Sequence, residues 1–351
     1  METEFQRFDF PRLRRRLLAW YRREGRELPW RNEGDPYRVW ISEIMLQQTT
    51  VTAVVPYFER FLTRFPTVHA LAEAKQDDVL RLWEGLGYYS RARNLHKAAQ
   101  TIVSEHAGEF PEQPDELQKL SGIGRYTAGA ISSFAFDRPA PIVEANTLRL
   151  YSRLLGYEGD PRSSEGQTLL WSFAEAILPR KNAGATNQAL MDLGATLCTP
   201  TDPNCPACPL AEFCSAFESG KQDRIPQAKT KVNITELQDI SVAVRDGNKV
   251  LLRQRTAEER WAGLWDFPRW TSSLSLPKLS LHLNAPPGFE QSLIEEVRQR
   301  TGYQIEPGPL LATFKHSVTR YRIELFCFSA QKKNGRASRR EQLRWVPLDK
   351  I

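Results

Sequence analysis

The chain has 351 residues, too many for one average core and enough for two domains of ordinary size. Its formal net charge of +6 fits a polyanionic partner as well as it fits a plain basic protein. No stretch approaches the roughly 20 apolar residues of a membrane span, and the N-terminus lacks a signal peptide's apolar core, so a cytoplasmic, intracellular protein is expected. From Phe8 to about Leu197 apolar residues recur at helical spacing, as in Val51, Val54, Val55, Phe58, Phe61, Leu62 and Phe65. Punctuation at Asp35-Pro36, Phe65-Pro66, Gly85-Leu86-Gly87, Phe110-Pro111 and Asp160-Pro161 cuts this region into about ten helices. Ser219 to Lys231 is polar and basic and reads as an exposed linker. Strand patterns follow: Ile240–Val244 and Val250–Leu252 flank the turn Asp246-Gly247-Asn248, and Tyr321–Phe328 forms another run, with a helix over Gln291–Arg300. The predicted organisation is a mainly α domain over 1–218, a linker over 219–234 and an α+β domain over 235–351.

Five cysteines in a reducing compartment, four of them between 198 and 214, argue for metal ligation over a disulfide framework. Cys198-x6-Cys205-x2-Cys208-x5-Cys214 supplies four soft thiolates, which suit zinc or an iron–sulfur cluster by ligand type alone. Cys327 stands apart and reads as a buried strand residue. Glu43 lies in the apolar stretch Val39–Leu46, where an unpaired acid is costly to bury and gains a raised pKa. In Leu120–Ala130, Gly122 and Gly124 permit a tight turn with positive φ before a helix whose first N–H groups face an anion.

The cysteine spacing after a helical region resembles the [4Fe–4S] ligation of the endonuclease III and MutY DNA glycosylases, and Leu120–Ala130 resembles their helix-hairpin-helix. The segments Ile44–Thr49 and Gly85–Arg91 resemble MutY motifs. That resemblance implies base excision repair by an adenine glycosylase acting as a monomer on double-stranded DNA that holds adenine opposite 8-oxoguanine or guanine. Chemistry on a paired base requires its extrusion, and the resemblance makes Gln48 and Tyr88 the intercalating pair, with Leu86 contributing a backbone contact beside Leu46. It makes Glu43 the acid that protonates adenine N7, and places Trp30, Arg31 and Gln188 at the adenine pocket. Relatives that also nick the strand carry Lys where this chain has Tyr126, so a monofunctional hydrolase is implied. The family's Val-Asp-Gly-Asn reads Val143-Glu144-Ala145-Asn146 here. Glu144 takes the role of stabilising the oxocarbenium sugar, with Asn146 hydrogen-bonding nearby, provided that its longer side chain curls back through another rotamer.

Trp261–Pro268 and Thr301-Gly302-Tyr303 resemble the MutT-like, Nudix-fold domain of MutY proteins. Gln299 and Arg300 stand where a working pyrophosphohydrolase needs paired glutamates, which favours a recognition domain for 8-oxoguanine. The family's Phe-Ser-His probe reads Val318-Thr319-Arg320, so only the hydroxyl of Thr319 is retained. Two alternatives stay open: a catalytically weak, cluster-bearing mismatch binder, and a mismatch glycosylase for another base such as thymine.

Overall fold

The computed structural model describes residues 5–31, 34–228, 233–256, 258–272, 288–339 and 341–351. The chain divides into two compact units, Met1–Lys229 and Thr230–Ile351. The first unit is helical: α1 (Phe10–Glu24), α2 (Pro36–Leu46), α3 (Val51–Arg64), α4 (Val68–Ala72), α5 (Gln76–Leu82), α6 (Ser90–Glu105), α7 (Pro114–Leu117), α8 (Arg125–Phe136), α9 (Ala145–Leu155), α10 (Ser164–Ala176), α11 (Ala183–Thr196) and α12 (Ser215–Glu218). No strand occurs among its described residues. Local chemistry sets several starts. The Asp35 carboxylate accepts the Tyr37 amide at 2.8 Å with Pro36 at the first position of α2, and Thr50 caps α3.

One core packs α1, α9, α10 and α11 together through Leu13, Leu17, Leu150, Leu154, Phe173 and Leu190, and Cys198, Cys208 and Cys214 pack against it. In α3 the predicted stripe buries Val54, Phe58 and Phe61, as period 3.6 requires. The expected linker is largely exposed over 219–228, with Ile225 as the exception. Ile225 is buried, its carbonyl accepts Arg153 Nε at 2.9 Å, and Lys221 pairs with Glu158 at 2.5 Å. Arg162 Nη1 adds a bond to the Gln227 carbonyl at 3.2 Å, so apolar burial and polar ties together hold that segment on the helical unit. The rest of it, 229–232, lies outside the described residues.

The second unit holds a mixed sheet in the order β3-β2-β1-β6-β5, built from β1 (Thr235–Asp246), β2 (Lys249–Gln254), β3 (Trp265–Asp266), β4 (Arg269–Thr271), β5 (Tyr303–Val318), β6 (Tyr321–Gly335) and β7 (Leu343–Pro347). Strand β4 pairs with β1 and β7 with β2; β1 and β6 run parallel, and the other pairs are antiparallel. Helix α13 (Phe289–Thr301) lays Phe289, Leu293 and Val297 over Ile240, Val242, Val244 and Phe326. Cys327 sits on β6 as expected but is half-buried, because it lies on the sheet face turned from that core. On α13, Gln299 and Arg300 donate to Glu295 and Glu296 one turn earlier.

Candidate active site

Five helices and the loop before α2 converge on a cleft of about 680 Å³. It is lined by Trp30, Arg31, Glu43, Leu46, Gln48, Tyr126, Glu144, Asn146 and Gln188, so nine of the residues singled out in sequence meet there. Glu43 projects from α2 and is 4% exposed. Tyr126, in the first turn of α8, donates its hydroxyl to Glu43 Oε2 at 2.7 Å. Burial pushes the Glu43 carboxyl up to about 7. The Tyr126 hydrogen bond pulls it down, the Glu144 charge raises it, and Arg31 lowers it. A carboxyl in that range holds a proton that it can deliver near neutrality.

Glu144 is the N-cap of α9. Its Oε2 accepts the Asn146 amide and its Oε1 the Thr147 amide, each at 2.9 Å, while Thr147 Oγ1 accepts the Glu144 amide. The longer side chain therefore does curl back, and both oxygens lie over the helix N-terminus. Burial raises its pKa against the opposing pull of those amides, Arg149 and the Asn146 side chain. Asn146 Oδ1 in turn accepts Arg149 Nη2 at 3.0 Å. Two acids thus face one cleft in different surroundings, one beside a phenol and one beside backbone amides.

Three residues that line the pocket or bond to its lining escaped the sequence reading. Asp192 is fully buried and accepts Arg31 Nη1 and Nη2 at 2.7 and 2.8 Å and Arg26 Nη2 at 2.6 Å. Burial alone would raise its pKa, but the guanidinium bonds outweigh it and hold the carboxyl below the usual range. Tyr21 donates to Gln188 Oε1 at 2.8 Å, and Met191 Sδ lies 4.0 Å from the Tyr126 oxygen. The signal for Asp192 was available: it is an acid in the apolar run Leu190–Leu193, four residues after Gln188 and so on the same helix face. Arg31 lines the cleft with its guanidinium held by Asp192, and Trp30 packs edge-on to Phe58 at 5.3 Å.

The two intercalation candidates lie on neighbouring turns. Gln48 has φ 58° and Tyr88 φ 49°, conformations unfavourable for residues with a side chain, and both are exposed. Buried Arg91, also missed, ties the turns together: Nη1 donates to the carbonyls of Ile44, Met45 and Gln47, and Nη2 to those of Leu86 and Gly87. Leu86 is buried, with its amide bonded to the Trp83 carbonyl at 3.1 Å, so the backbone contact expected of it has no free N–H. Gly122 has φ +78°, as expected, but Gly124 is extended at φ −91°. Nothing lies within 4 Å of where a Gly124 Cβ would stand, and α8 starts without a side-chain cap. Absence of a side chain there leaves room for a ligand to approach the first amides.

The four thiols of Cys198, Cys205, Cys208 and Cys214 line one small cavity with Leu150, Leu154, Leu197 and Phe217. Arg153 Nη1 donates to Cys198 Sγ at 3.3 Å. Among the described residues no group of three or more Cys, His, Asp or Glu side chains is arranged to hold a metal ion. Four thiols on one cavity are the donor type that an iron–sulfur cluster takes. In the second unit, Thr319 occupies the β5–β6 turn with φ 52°, and its hydroxyl donates back to the Val318 carbonyl at 2.7 Å. Among the described residues no helix is long and apolar enough to cross a membrane.

A helix-hairpin-helix fold with a buried acid at its cleft defines a DNA glycosylase of the base excision class. Residues 41–176 match the HhH-GPD superfamily base excision DNA repair protein family, and 240–351 match the NUDIX domain. The adenine DNA glycosylase of Buchnera aphidicola subsp. Schizaphis graminum is 41% identical over 259 residues, covering 74% of this chain and 75% of the relative. That of Rattus norvegicus is 41% identical over 237 residues, covering 65% and 46%. Among solved structures, a thermostable thymine-DNA glycosylase superposes with TM-score 0.55 at 27% identity, over 60% of this chain and 97% of that one. Endonuclease III in a non-covalent DNA complex gives 0.51 at 24%, over 61% and 98%, and shares the fold. The chain belongs to the adenine DNA glycosylase family of base excision repair enzymes.

Proposed function

We propose that this chain acts as a monomer in the cytoplasm, hydrolysing the N-glycosidic bond of adenine paired with 8-oxoguanine or guanine in duplex DNA and leaving an abasic site. The observation that carries the reading is the Glu43 carboxyl, buried at the cleft, hydrogen-bonded to Tyr126 and raised to about 7. Glu43 protonates the leaving adenine; Tyr126 holds that carboxyl in place and keeps its donor pointed at one oxygen. Glu144, fixed by two amides, offers negative charge to the developing oxocarbenium sugar. Tyr126 has no amine to form a Schiff base, so the enzyme is monofunctional. Gln188 and Trp30 bound the adenine pocket, and Gln48 and Tyr88 fill the space that the flipped base vacates.

Cys198, Cys205, Cys208 and Cys214 hold a [4Fe–4S] cluster, whose contribution is to tie residues 198–214 into one folded loop. We assign 1–218 to glycosylase chemistry, 219–234 to a connecting segment and 235–351 to recognition of the base opposite adenine, with Thr319 at its probing turn. Single-turnover assay of a duplex with one adenine opposite 8-oxoguanine tests the proposal. Adenine release followed by alkali-dependent strand breakage is expected. Tight binding without base release would make the protein a mismatch binder instead.

A further inference from the structure

The geometry points to a DNA phosphodiester site on the second unit, formed by Arg320 and Arg260 around the ring of Tyr321; it rests on the reading of the chain as a duplex-binding glycosylase. Tyr321 opens β6 immediately after the turn that carries Thr319. The guanidinium carbons of Arg260 and Arg320 each stand 5.2 Å from the Tyr321 ring centroid, and Arg320 Nη2 donates to the phenol oxygen at 3.1 Å. Arg320 is exposed and has no ion pair among the described residues. The nearby acids are taken, Glu236 by Arg322 at 3.5 Å and Glu324 by Lys315 at 3.4 Å.

Arg260 Nη2 is anchored to Thr271 Oγ1 at 2.9 Å and Asp239 Oδ1 at 3.4 Å, but its Nη1 is buried and has no partner. Asp239 is already matched by Arg269, whose Nε and Nη2 reach Oδ2 at 3.0 and 2.8 Å. Two guanidinium groups therefore flank one aromatic ring: exposed Arg320 supplies the outward donors, and Arg260, held by Thr271 and Asp239 with its Nη1 shut off from solvent, adds positive charge beside the ring. A guanidinium donates and never accepts. Its best match is an anion with several acceptor oxygens, and in a duplex that is the phosphodiester.

Guanine oxidised at C8 gains an N–H as well as a carbonyl, and a donor-only group cannot receive that N–H. Thr319 spends its hydroxyl hydrogen on the Val318 carbonyl, so its oxygen can still accept, while Arg320 is the turn's outward donor. The pair positions the duplex without regard to base.

Binding of the full chain to duplexes carrying a tetrahydrofuran abasic analogue opposite 8-oxoguanine or guanine, over about 50 to 200 mM salt, tests this. Arg320→Ala should lower the log–log salt slope by about one, equally for both duplexes, and adding Arg260→Ala should lower it further. Arg320→Lys should retain the parent slope, and melting of the second unit in Arg320→Ala should match the parent. An unchanged slope in the double variant overturns the site, and so does an affinity loss confined to the 8-oxoguanine duplex. If the parent releases no adenine, the excision proposal fails separately, because the salt slope is measured on unreactive DNA.

Discussion

Replacing Glu43 by Gln should make the helical unit more stable above neutrality while abolishing adenine release. The carboxyl rises from its ordinary 4.5 to about 7 on folding, chiefly by burial. Between those values the folded state holds a proton that the unfolded chain has given up, so stability is highest below pH 4.5, falls as pH rises to about 7 and is level beyond it. At about 1.4 kcal/mol per pH unit, the ionised acid costs about 3 kcal/mol at pH 8. Gln is neutral throughout and its carbonyl can still accept the Tyr126 hydroxyl, which lies 2.7 Å from the native Oε2. Its NH2 group offsets part of the gain, leaving about 2 kcal/mol, or roughly 4–8 °C in melting temperature. Differential scanning calorimetry at pH 8 and pH 4.5, paired with single-turnover excision, reads both effects. The gain should vanish at the lower pH. A variant no more stable at pH 8 than the parent refutes the buried-charge argument, and one that still excises adenine at the parent rate removes Glu43 as the acid.

Tyr126→Phe removes a hydrogen bond that favours the ionised Glu43, so the alkaline fall in the single-turnover rate should move up by about one pH unit; a profile that stays put or moves down contradicts the assigned contact. Glu144→Gln should abolish excision with mismatch binding retained, and Glu144→Asp should remain active because Asp also caps a helix. Quench-flow rates equal to the parent in Glu144→Gln would remove its oxocarbenium role. Glu144→Ala should further cost about 1 kcal/mol of stability through the lost cap, measurable in urea. Cys205→Ser should lose iron and sulfide by colorimetric assay and melt earlier, whereas stoichiometric zinc without iron in the parent would reject the cluster.

Periodicity and caps were enough to place α2, α3 and the β1–β2 hairpin, because those signals act between residues a few positions apart. Glu43 was conspicuous for the same local reason, a charge inside an apolar run. Its partner was beyond that reach: Tyr126 lies 83 residues away, and only the packing of α8 on α2 brings the phenol to the carboxylate. The pairing of Arg31 with Asp192, 161 residues apart, was likewise out of local reach. Composition marked residues 219–231 as exposed, yet Ile225 is buried and its carbonyl is held by Arg153 of α9, 72 residues away. The substitution of Glu for Asp at 144 was visible in the chain itself, but where the extra methylene goes depends on free amides at a helix N-terminus. Sequence determines which groups are available and which segments are helix or strand; the tertiary fold decides which donors meet which acceptors, because burial makes each unmet polar group too costly to leave unpaired.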